Sequence, residues 1–430
     1  MHAAVRARHL VLPALLVSAY LAACSSAAPV STPAAGGGGA ASTSPIKIGY
    51  MADSNGTSAP IAAGMHLATD LAVQQINAAG GINGHPLQVQ YVDPQSDPTQ
   101  AVQMATQLVQ TDNVDVLMGA VLSSECLVVQ QLVAKLQIVY LPTFGCAAEE
   151  FSSQFCNRYS FRFAPVGRQQ IAPLAEYIVK TYGPRWAMAY SDYAYGTSQL
   201  NAYKAELAKW GGSVDVPIPI PQNEPNLAPY VTKVPTDGSV AGVIINGLGA
   251  GDLTRVSLAL GQYGLAPKVK VIGTSGRDVY GGTYPEFLNG AVNYQTFVSG
   301  VPKGNSFGDA YEKAFKEIAQ KEPEWANILG GADKILAFQG YPQYTAMTAL
   351  KTAMVAAKFT GRADTEALIS ALENVSLPMG ADSPGGSTIL NKGDHQGTQT
   401  VYVFRINGQQ DELLTTVQPE NIPALGNCKV

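Results

Sequence analysis

Two adjacent serines stand where a predicted strand gives way to a predicted helix. Val114–Met118 is an apolar, β-rich run, and Ser123 and Ser124 follow it just before a helical period that extends to Lys135. Unpaired N–H groups at a helix N-terminus, together with serine hydroxyls, can donate hydrogen bonds to an anion. The same serines could also serve as a plain helix cap with no ligand. They are therefore candidate donors to a carboxylate.

Aromatic hydroxyls form a second set of candidates. Tyr193 and Tyr195 follow the predicted strand Trp186–Tyr190, where they could supply an aromatic wall or hydroxyl donors, and ordinary core packing explains either one equally well. Thr57 and Ser58, in the loop after the first strand, are weaker candidates for lining the cleft in which a ligand would bind.

Motifs for catalysis and for cofactors do not occur. Gly273–Gly276 lacks the spacing of a G-x-S-x-G nucleophile turn, and Gly247–Asp252 lacks the last glycine of a dinucleotide turn. There is no phosphate-binding loop, and none of the five histidines has metal-ligand spacing from a cysteine or another histidine. We therefore expect a binding protein without a cofactor or metal, and not an enzyme.

Composition excludes other classes of protein. The 430 residues carry 27 Lys+Arg against 32 Asp+Glu, a net charge of -5, whereas a nucleic-acid binder needs clustered basic residues. Apolar residues make up 46% and charged residues 14%, which favours a folded chain over disorder. The length predicts about two domains.

Strands and helices alternate along the folded part, which predicts doubly wound parallel sheets. The predicted strands are Ile46–Met51, Leu87–Asp93, Val114–Met118, Ile138–Leu141, Trp186–Tyr190, Val214–Ile218, Val243–Asn246 and Val269–Gly273. The alternation of strands and helices begins again after Tyr159–Phe163, so we expect two α/β lobes. The remainder is helical to Glu373 and then β-rich, and it is expected to return to both lobes through several crossings that act as a hinge.

The N-terminus has the pattern of an export signal. Arg6, Arg8 and His9 precede the apolar run Leu10–Tyr20, which ends in the lipobox-like Leu21–Cys24. An ordinary signal peptide with an incidental cysteine is the alternative. We expect acylation of Cys24 and attachment to the outer face of the bacterial cell membrane, with the Ser-, Ala- and Gly-rich residues up to 45 as a flexible tether.

Four further cysteines favour disulfides in an exported chain, and four cysteines permit three pairings. The preferred pair is Cys146 with Cys156, because it closes a short loop. Cys126 with Cys428 follows only by elimination.

Two segments carry a resemblance to a known family. INAAGGINGHPL at Ile76–Leu87 and YVDPQSDP at Tyr91–Pro98 resemble the branched-chain amino acid type of periplasmic substrate-binding protein, and DYAYG at Asp192–Gly196 matches that family as well. The resemblance runs from about Ile46 to the C-terminus. It implies a type I periplasmic-binding fold with two lobes joined by three strands, and delivery of a small solute to ABC permease subunits.

The resemblance also implies roles for particular residues. The family's carboxylate-binding serine falls at Ser123, and Thr143 follows the next strand, where the family uses backbone and a hydroxyl; Gly145 replaces the family's threonine. The family reaches its ligand from the positions of Leu248 and Ser275.

The family's amino-acid binders place an acidic residue near the position of the neutral Ser275, so Asp278 or Asp192 would have to pair with a ligand ammonium. The solute therefore stays open among an amino acid, an amide and a carboxylate.

These expectations define a domain plan. Residues 1–23 are the signal, 24–45 the tether, 46–163 with 300–376 the first lobe, 164–299 with 377–420 the second lobe, and 421–430 a tail. The predicted hinge crossings are Phe161–Pro165, Phe297–Val301 and Leu377–Ala381. We expect a monomer. A lipoprotein that presents solute to a signalling partner is the alternative to a transport component.

Overall fold

A computed structural model describes residues 43–55, 58–142, 146, 155–165, 167–273, 276–280 and 282–424. The predicted signal and tether, including Cys24, lie outside these residues almost entirely. Among the described helices, none combines the length and the apolar character needed to cross a bilayer.

The first lobe is built on a four-stranded parallel sheet in the order β2-β1-β3-β4. Its elements are β1 (Ile46–Met51), α1 (Ala59–Ala78), β2 (Leu87–Val92), α2 (Pro98–Gln110), β3 (Val116–Gly119), α3 (Ser123–Leu136) and β4 (Tyr140–Pro142). Strands β1 and β3 are almost entirely buried because helices cover both faces of the sheet. The apolar side chains of α1 pack on one face, and those of α2 and α3 pack on the other.

The second lobe repeats this plan. Its elements are α4 (Arg168–Tyr182), β5 (Arg185–Ser191), α5 (Ala194–Ala208), β6 (Ser213–Ile220), α6 (Ala228–Val231), β7 (Gly242–Ile245), α7 (Ala250–Gln262), β8 (Lys270–Ile272) and β9 (Val292–Gln295). Parallel pairing joins β6, β5, β7, β8 and β9 in that order. One face is packed by α4 and α5 and the other by α7. The predicted fold class, two doubly wound parallel-sheet lobes, is confirmed.

The C-terminal part serves both lobes. Its elements are α8 (Ser306–Lys321), α9 (Pro323–Ile328), α10 (Tyr341–Ala356), α11 (Thr365–Leu372), β10 (Ser376–Leu377), β11 (Thr388–Asn391), β12 (Gln396–Gln399), β13 (Val401–Asn407) and β14 (Gln410–Val417). The helices α8 to α11 extend the core of the first lobe. The strands β13 and β14 join the second sheet beside β9, in antiparallel pairing.

The third passage between the sheets differs from the predicted one. We predicted a crossing at Leu377–Ala381, but Leu377 packs in the core of the first lobe, and β10, β11 and β12 form a small antiparallel sheet of their own. The chain enters the second sheet only at Val401. Alternating β-rich runs in the sequence do not reveal which sheet each run joins, because that choice depends on pairing with distant strands.

Buried polar contacts join two of the crossing segments. Arg162 Nε donates to Gln396 Oε1 at 2.6 Å, and Gln396 Nε2 donates to the carbonyl oxygen of Ala164 at 2.8 Å. The backbones also approach closely, since a Cβ on Gly397 would meet the carbonyl oxygen of Phe163 at 2.4 Å. These contacts hold the two crossing segments side by side.

Each sheet reverses its strand order at one place. The reversal lies between β1 and β3 in the first sheet and between β5 and β7 in the second. Crevices beyond the carboxyl ends of strands at such a reversal are where open α/β sheets bind ligands. The segments that follow β1, β3, β5 and β7 are therefore the candidate site.

Candidate functional site

The N-terminus of α3 offers backbone N–H groups at the end of β3. Leu122, and not a serine, is the cap residue, and the carboxylate of Glu125 accepts from Leu122 N at 3.0 Å and from Val121 N at 3.3 Å. Glu125 can reach back because it lies three residues after the cap. The predicted capping role of Ser123 and Ser124 is therefore wrong, and their amide groups lie one step further into the helix.

A hydrogen bond crosses from the first lobe to the second at this point. The backbone N–H of Ser123 donates to the hydroxyl oxygen of Tyr193, with an N to O distance of 3.2 Å. Ser123 begins α3, and Tyr193 is the residue before α5, so the N-terminal ends of two helices meet here. The partial positive charge at the α3 end favours an anion beside this contact.

Two buried carboxyl groups lie behind the amide groups of α3. Asp53 follows β1 and is fully buried; its Oδ2 accepts from Ser58 Oγ at 2.5 Å and its Oδ1 accepts from Ser96 N at 2.9 Å. Glu125 is also fully buried. Burial raises the pKa of Glu125 to about 7, and the nearby charge of Asp53 adds to the increase. Burial also raises the pKa of Asp53.

Burial and the charge of Asp53 favour the protonated form of Glu125 near neutral pH. Among the described residues, Oε1 of Glu125 has no hydrogen-bond donor, which also favours protonation of this carboxyl group. Protonation of Glu125 removes one of the two negative charges behind α3. The lower charge leaves the adjacent helix end able to attract an anion.

The second lobe contributes aromatic hydroxyls. Burial raises the pKa of Tyr195, as do its neighbours Tyr294 and Tyr193, while the positive charge of Arg162 opposes the increase. The hydroxyl oxygen of Tyr294 accepts from Asn246 Nδ2 at 2.7 Å, and burial raises the pKa of Tyr294 to about 12. Both tyrosines are therefore neutral at physiological pH and can donate or accept hydrogen bonds.

Close backbone contacts fix both strand ends. Gly119 has φ +96°, and a Cβ there would meet the carbonyl oxygen of Met51 at 2.2 Å. A Cβ on Gly196 would meet the carbonyl oxygen of Ser191 at 1.9 Å. Only glycine fits at either place, and each glycine sets the direction of the segment that carries the candidate site residues.

Only some of the predicted site residues lie together in the structure. It brings Ser123 and Tyr193 into contact, with Tyr195 close to Tyr193, and leaves Ser124 half-buried in the first turn of α3. Ser58 is buried against Asp53. The side chain of Leu248 packs into the core of the second lobe, so only its backbone lies at the strand end. Thr57, Thr143, Gly145 and Ser275 lie outside the described residues, as does the side chain of Asp278.

The sequence reasoning missed several polar residues of the site: Asp53, Glu125, Asn246 and Tyr294. The positions of Asp53 and Glu125 in the sequence could have indicated that they belong to the site. Asp53 comes two residues after a buried strand, and Glu125 stands three residues after the helix cap, which is where a capping carboxylate belongs. No local signal marks Tyr294, because it reaches the site through the pairing of β9 with β8 and β13.

The cysteine pairing differs from the predicted one. Cys146 is bonded to Cys126, which lies in the first turns of α3, with a Cα to Cα distance of 6.0 Å. The predictions Cys146–Cys156 and Cys126–Cys428 are therefore wrong. A short loop such as the one between Cys146 and Cys156 has a low entropic cost of closure. The tertiary fold nevertheless places Cys146 beside α3. Cys156 is also disulfide-bonded, and Cys428 lies outside the described residues.

Comparison with known proteins identifies the family. The family model for periplasmic binding proteins matches residues 45–411. The chain belongs to the periplasmic binding protein family. This periplasmic binding protein is 24% identical over 311 residues to Leu/Ile/Val-binding protein homolog 7 of Brucella melitensis, covering 66% of this chain and 74% of the relative. The resemblance stated from the sequence is confirmed.

Solved structures share the fold of this periplasmic binding protein. An ABC transporter solute-binding protein of R. palustris in complex with benzoate has a TM-score of 0.72 at 20% identity, over 89% of this chain and 99% of that one. The leucine-, isoleucine-, valine-, threonine- and alanine-binding protein of Brucella ovis, in its closed conformation, has a TM-score of 0.73 at 20% identity, over 88% and 97%.

Proposed function

We propose that this protein captures a small carboxylate-bearing solute between its two lobes and delivers it to the permease of an ABC importer. The observation that carries the proposal is the contact between Ser123 N and the Tyr193 hydroxyl at the two sheet reversals. A carboxylate placed there would accept from the α3 amide groups and from a tyrosine hydroxyl of the other lobe. One ligand group would thereby bridge both lobes and favour their closed arrangement.

The carboxylate is the part of the solute that the described residues match best. The helix ends supply donors and partial positive charge, whereas Asp192 is exposed and the Asp53–Glu125 pair is buried. Of these carboxyl groups, only the exposed Asp192 is accessible to a ligand ammonium, and an ammonium buried without a carboxylate partner costs several kcal/mol. The R. palustris protein binds benzoate, the Brucella ovis protein is named for binding leucine, isoleucine, valine, threonine and alanine, and all of these ligands carry a carboxylate. Because Tyr193 and Tyr195 supply an aromatic surface, we propose aromatic acids as the preferred solutes.

The remaining assignments complete the proposal. Thr143, Gly145, Leu248 and Ser275 are proposed to line the same cleft through backbone or hydroxyl groups. Cys24 is proposed as the lipid-bearing residue of an exported lipoprotein that is held at the membrane by the tether up to residue 45 and acts as a monomer. Mass spectrometry of the protein from membranes tests the anchor: the expected N-terminal peptide begins at an acylated Cys24, and an unmodified N-terminus would contradict it.

A thermal-shift screen with matched ligand pairs tests the solute class. Benzoate is compared with benzamide, 4-hydroxybenzoate with 4-hydroxybenzamide, and leucine with leucinamide. A bound carboxylate at a hundredfold excess over its dissociation constant adds about 2.7 kcal/mol of stability. We expect the acids to raise the melting temperature and the amides to have little effect. Equal shifts for acid and amide would contradict recognition of the carboxylate.

Substitution of Ser123 by proline tests the α3 amide directly. Ser123 is the first helical residue, where proline is tolerated, and the preceding Leu122 has φ −73° and ψ 141°, which suits a residue before proline. Ser123→Pro removes the N–H, while Ser123→Ala keeps it. Loss of one hydrogen bond to a charged group costs about 1.5–3 kcal/mol. We expect at least tenfold weaker binding in calorimetry for the proline variant relative to the alanine variant. Equal affinities would remove the Ser123 amide from the site.

A further inference from the structure

Three side chains of the kinds that can ligate a metal ion converge on one place in the first lobe. His66 and Asp70 lie one helical turn apart on α1, and Glu322 lies between α8 and α9. His66 Nε2 is 3.2 Å from Asp70 Oδ2 and 3.2 Å from Glu322 Oε2. Three potential ligand atoms, one from each residue, all lie within 4.8 Å of one another. Two carboxylates therefore face the same imidazole nitrogen.

A protonated His66 offsets only one of the two carboxylates in this cluster. Within the part of the chain that the structure describes, neither Asp70 nor Glu322 has a lysine or arginine within ion-pair distance. Both carboxylates are more than two-thirds buried, and the imidazole is almost wholly buried. Nε2 carries at most one hydrogen, which cannot satisfy two carboxylates well. Partly buried negative charge of this kind requires a cation or a shared proton.

The imidazole and one carboxylate are held in fixed orientations. The ring of His66 stacks on Trp325, with centroids 4.0 Å apart and planes 15° apart, and contacts Tyr91 at 4.2 Å on tilted planes. The hydroxyl of Tyr91 donates to Asp70 Oδ1 at 2.5 Å, which leaves Oδ2 directed at His66. Outer contacts that orient the inner ligands are a general feature of protein metal sites.

We propose that His66, Asp70 and Glu322 bind one Zn²⁺ ion. With ligand bonds of about 2.0 Å, two ligands of a tetrahedral zinc ion lie roughly 3.3 Å apart, and both nitrogen-to-oxygen distances here are close to that value. Histidine nitrogen and carboxylate oxygen are ordinary zinc ligands, and water would fill the fourth position. The ion would join α1 to the junction of α8 and α9 and neutralise the two carboxylates.

Titration of the full chain, tag-free and stripped with a chelator, tests this site. We expect calorimetry with ZnCl₂ to show one ion per chain and the melting temperature to rise in saturating zinc. Glu322→Gln and Asp70→Asn each preserve side-chain size and remove one charged ligand, so we expect at least tenfold weaker zinc binding in both. Circular dichroism establishes that each variant is folded, and either folded variant is sufficient for the comparison.

Glu373→Gln is the matched control. Glu373 faces His395 Nε2 at 3.5 Å, so this variant also removes a carboxylate from a histidine, but at a place where the described residues offer no third ligand. We expect it to bind zinc like the unmodified protein. Absence of stoichiometric zinc binding, full retention of zinc by a folded Glu322→Gln or Asp70→Asn variant, or an equal loss in Glu373→Gln would each overturn the proposal.

Trp325 provides an independent readout of position. Because it stacks on His66, Co²⁺ bound in the same site should quench its fluorescence, while Trp186 and Trp210 belong to the second lobe. We expect Trp325→Phe to abolish most of the Co²⁺-dependent quenching. Unchanged quenching in that variant would place the ion elsewhere and contradict the assignment.

Discussion

The strand ends of the first lobe and those of the second lobe use different chemistry at equivalent places in the fold. In the first lobe, the α3 amide groups stand in front of two buried carboxyl groups whose pKa values are raised. In the second lobe, the polar groups are neutral tyrosine hydroxyls and the amide of Asn246. In the proposed site, the first lobe therefore supplies fixed electrostatic attraction for an anion. The second lobe is proposed to supply neutral hydroxyls and an aromatic surface that contact the same solute.

We expect the two lobes to contribute differently to the affinity and to the specificity of solute binding. Amide groups at a helix end attract any anion, whereas tyrosine side chains contact the rest of the ligand and therefore discriminate by its shape. The first lobe should therefore determine whether an anion binds at all, and the second should determine which anion binds.

The largest expected effect comes from the glycines that set both strand ends. Gly119→Ala and Gly196→Ala each place a Cβ within 2.2 Å of a backbone oxygen, and Gly119 also has a positive φ. We expect each to lower the free energy of unfolding by at least about 3 kcal/mol, measured by urea denaturation. Gly251→Ala is the control, because nothing lies near its Cβ, and we expect it to be neutral or stabilising. Tolerance of Gly119→Ala or Gly196→Ala would show that the corresponding strand end is not fixed.

The Cys126–Cys146 disulfide distinguishes the first lobe, because it ties the start of α3 to the segment after β4 across 20 residues. A loop of that size predicts about 3 kcal/mol of stabilisation. We expect the Cys126→Ala/Cys146→Ala double variant to lose this amount in denaturation experiments. A non-reducing peptide map of the unmodified protein should contain the linked peptides, and a map that joins Cys146 to Cys156 would contradict the structure.

The raised pKa of Glu125 predicts how stability depends on pH. The pKa of Glu125 is raised to about 7 in the folded protein from 4.5, so the folded state binds more protons than the unfolded state between these values. Stability should therefore fall by about 3 kcal/mol as the pH rises from 4.5 to 8. Glu125→Gln keeps the side-chain size and removes the titration, so its stability curve should be flatter over that range. An unchanged pH dependence would contradict the acid pair.

A smaller effect is expected for the hydroxyl that crosses between the lobes. Tyr193→Phe removes the acceptor of Ser123 N–H and a donor to the bound carboxylate, which should cost about 1 kcal/mol, or roughly fivefold in solute affinity. Tyr190→Phe, on the neighbouring strand β5, is the control, and calorimetry should give it the affinity of the unmodified protein. Equal losses in both variants would assign the effect to general packing.

The sequence predicts most of the fold because the strands are short apolar runs and the helices have clear periodicity. The predicted helix Gln169–Tyr182 differs from α4 by one residue, and Trp186–Tyr190 differs from β5 by one residue at each end. The third crossing and the strands β9, β12 and β14 could not be predicted in this way. Their placement depends on pairing with strands far away in the chain, as β9 pairs with β13.

The candidate site was predictable only where it depends on local structure. Ser123 and Tyr193 follow strands directly, and parallel strands of one sheet end at the same edge. Asp53 and Glu125 form a pair only through the tertiary fold, because they follow different strands and meet behind α3. The disulfide was mispredicted for the same reason.

A crystal structure of the protein with the best acid from the thermal-shift screen tests whether one solute carboxylate bridges the two lobes. We expect one carboxylate oxygen of the solute to accept a hydrogen bond from Ser123 N while a tyrosine of the second lobe contacts the same solute. A solute whose carboxylate lies away from the start of α3, or that touches one lobe only, would contradict it.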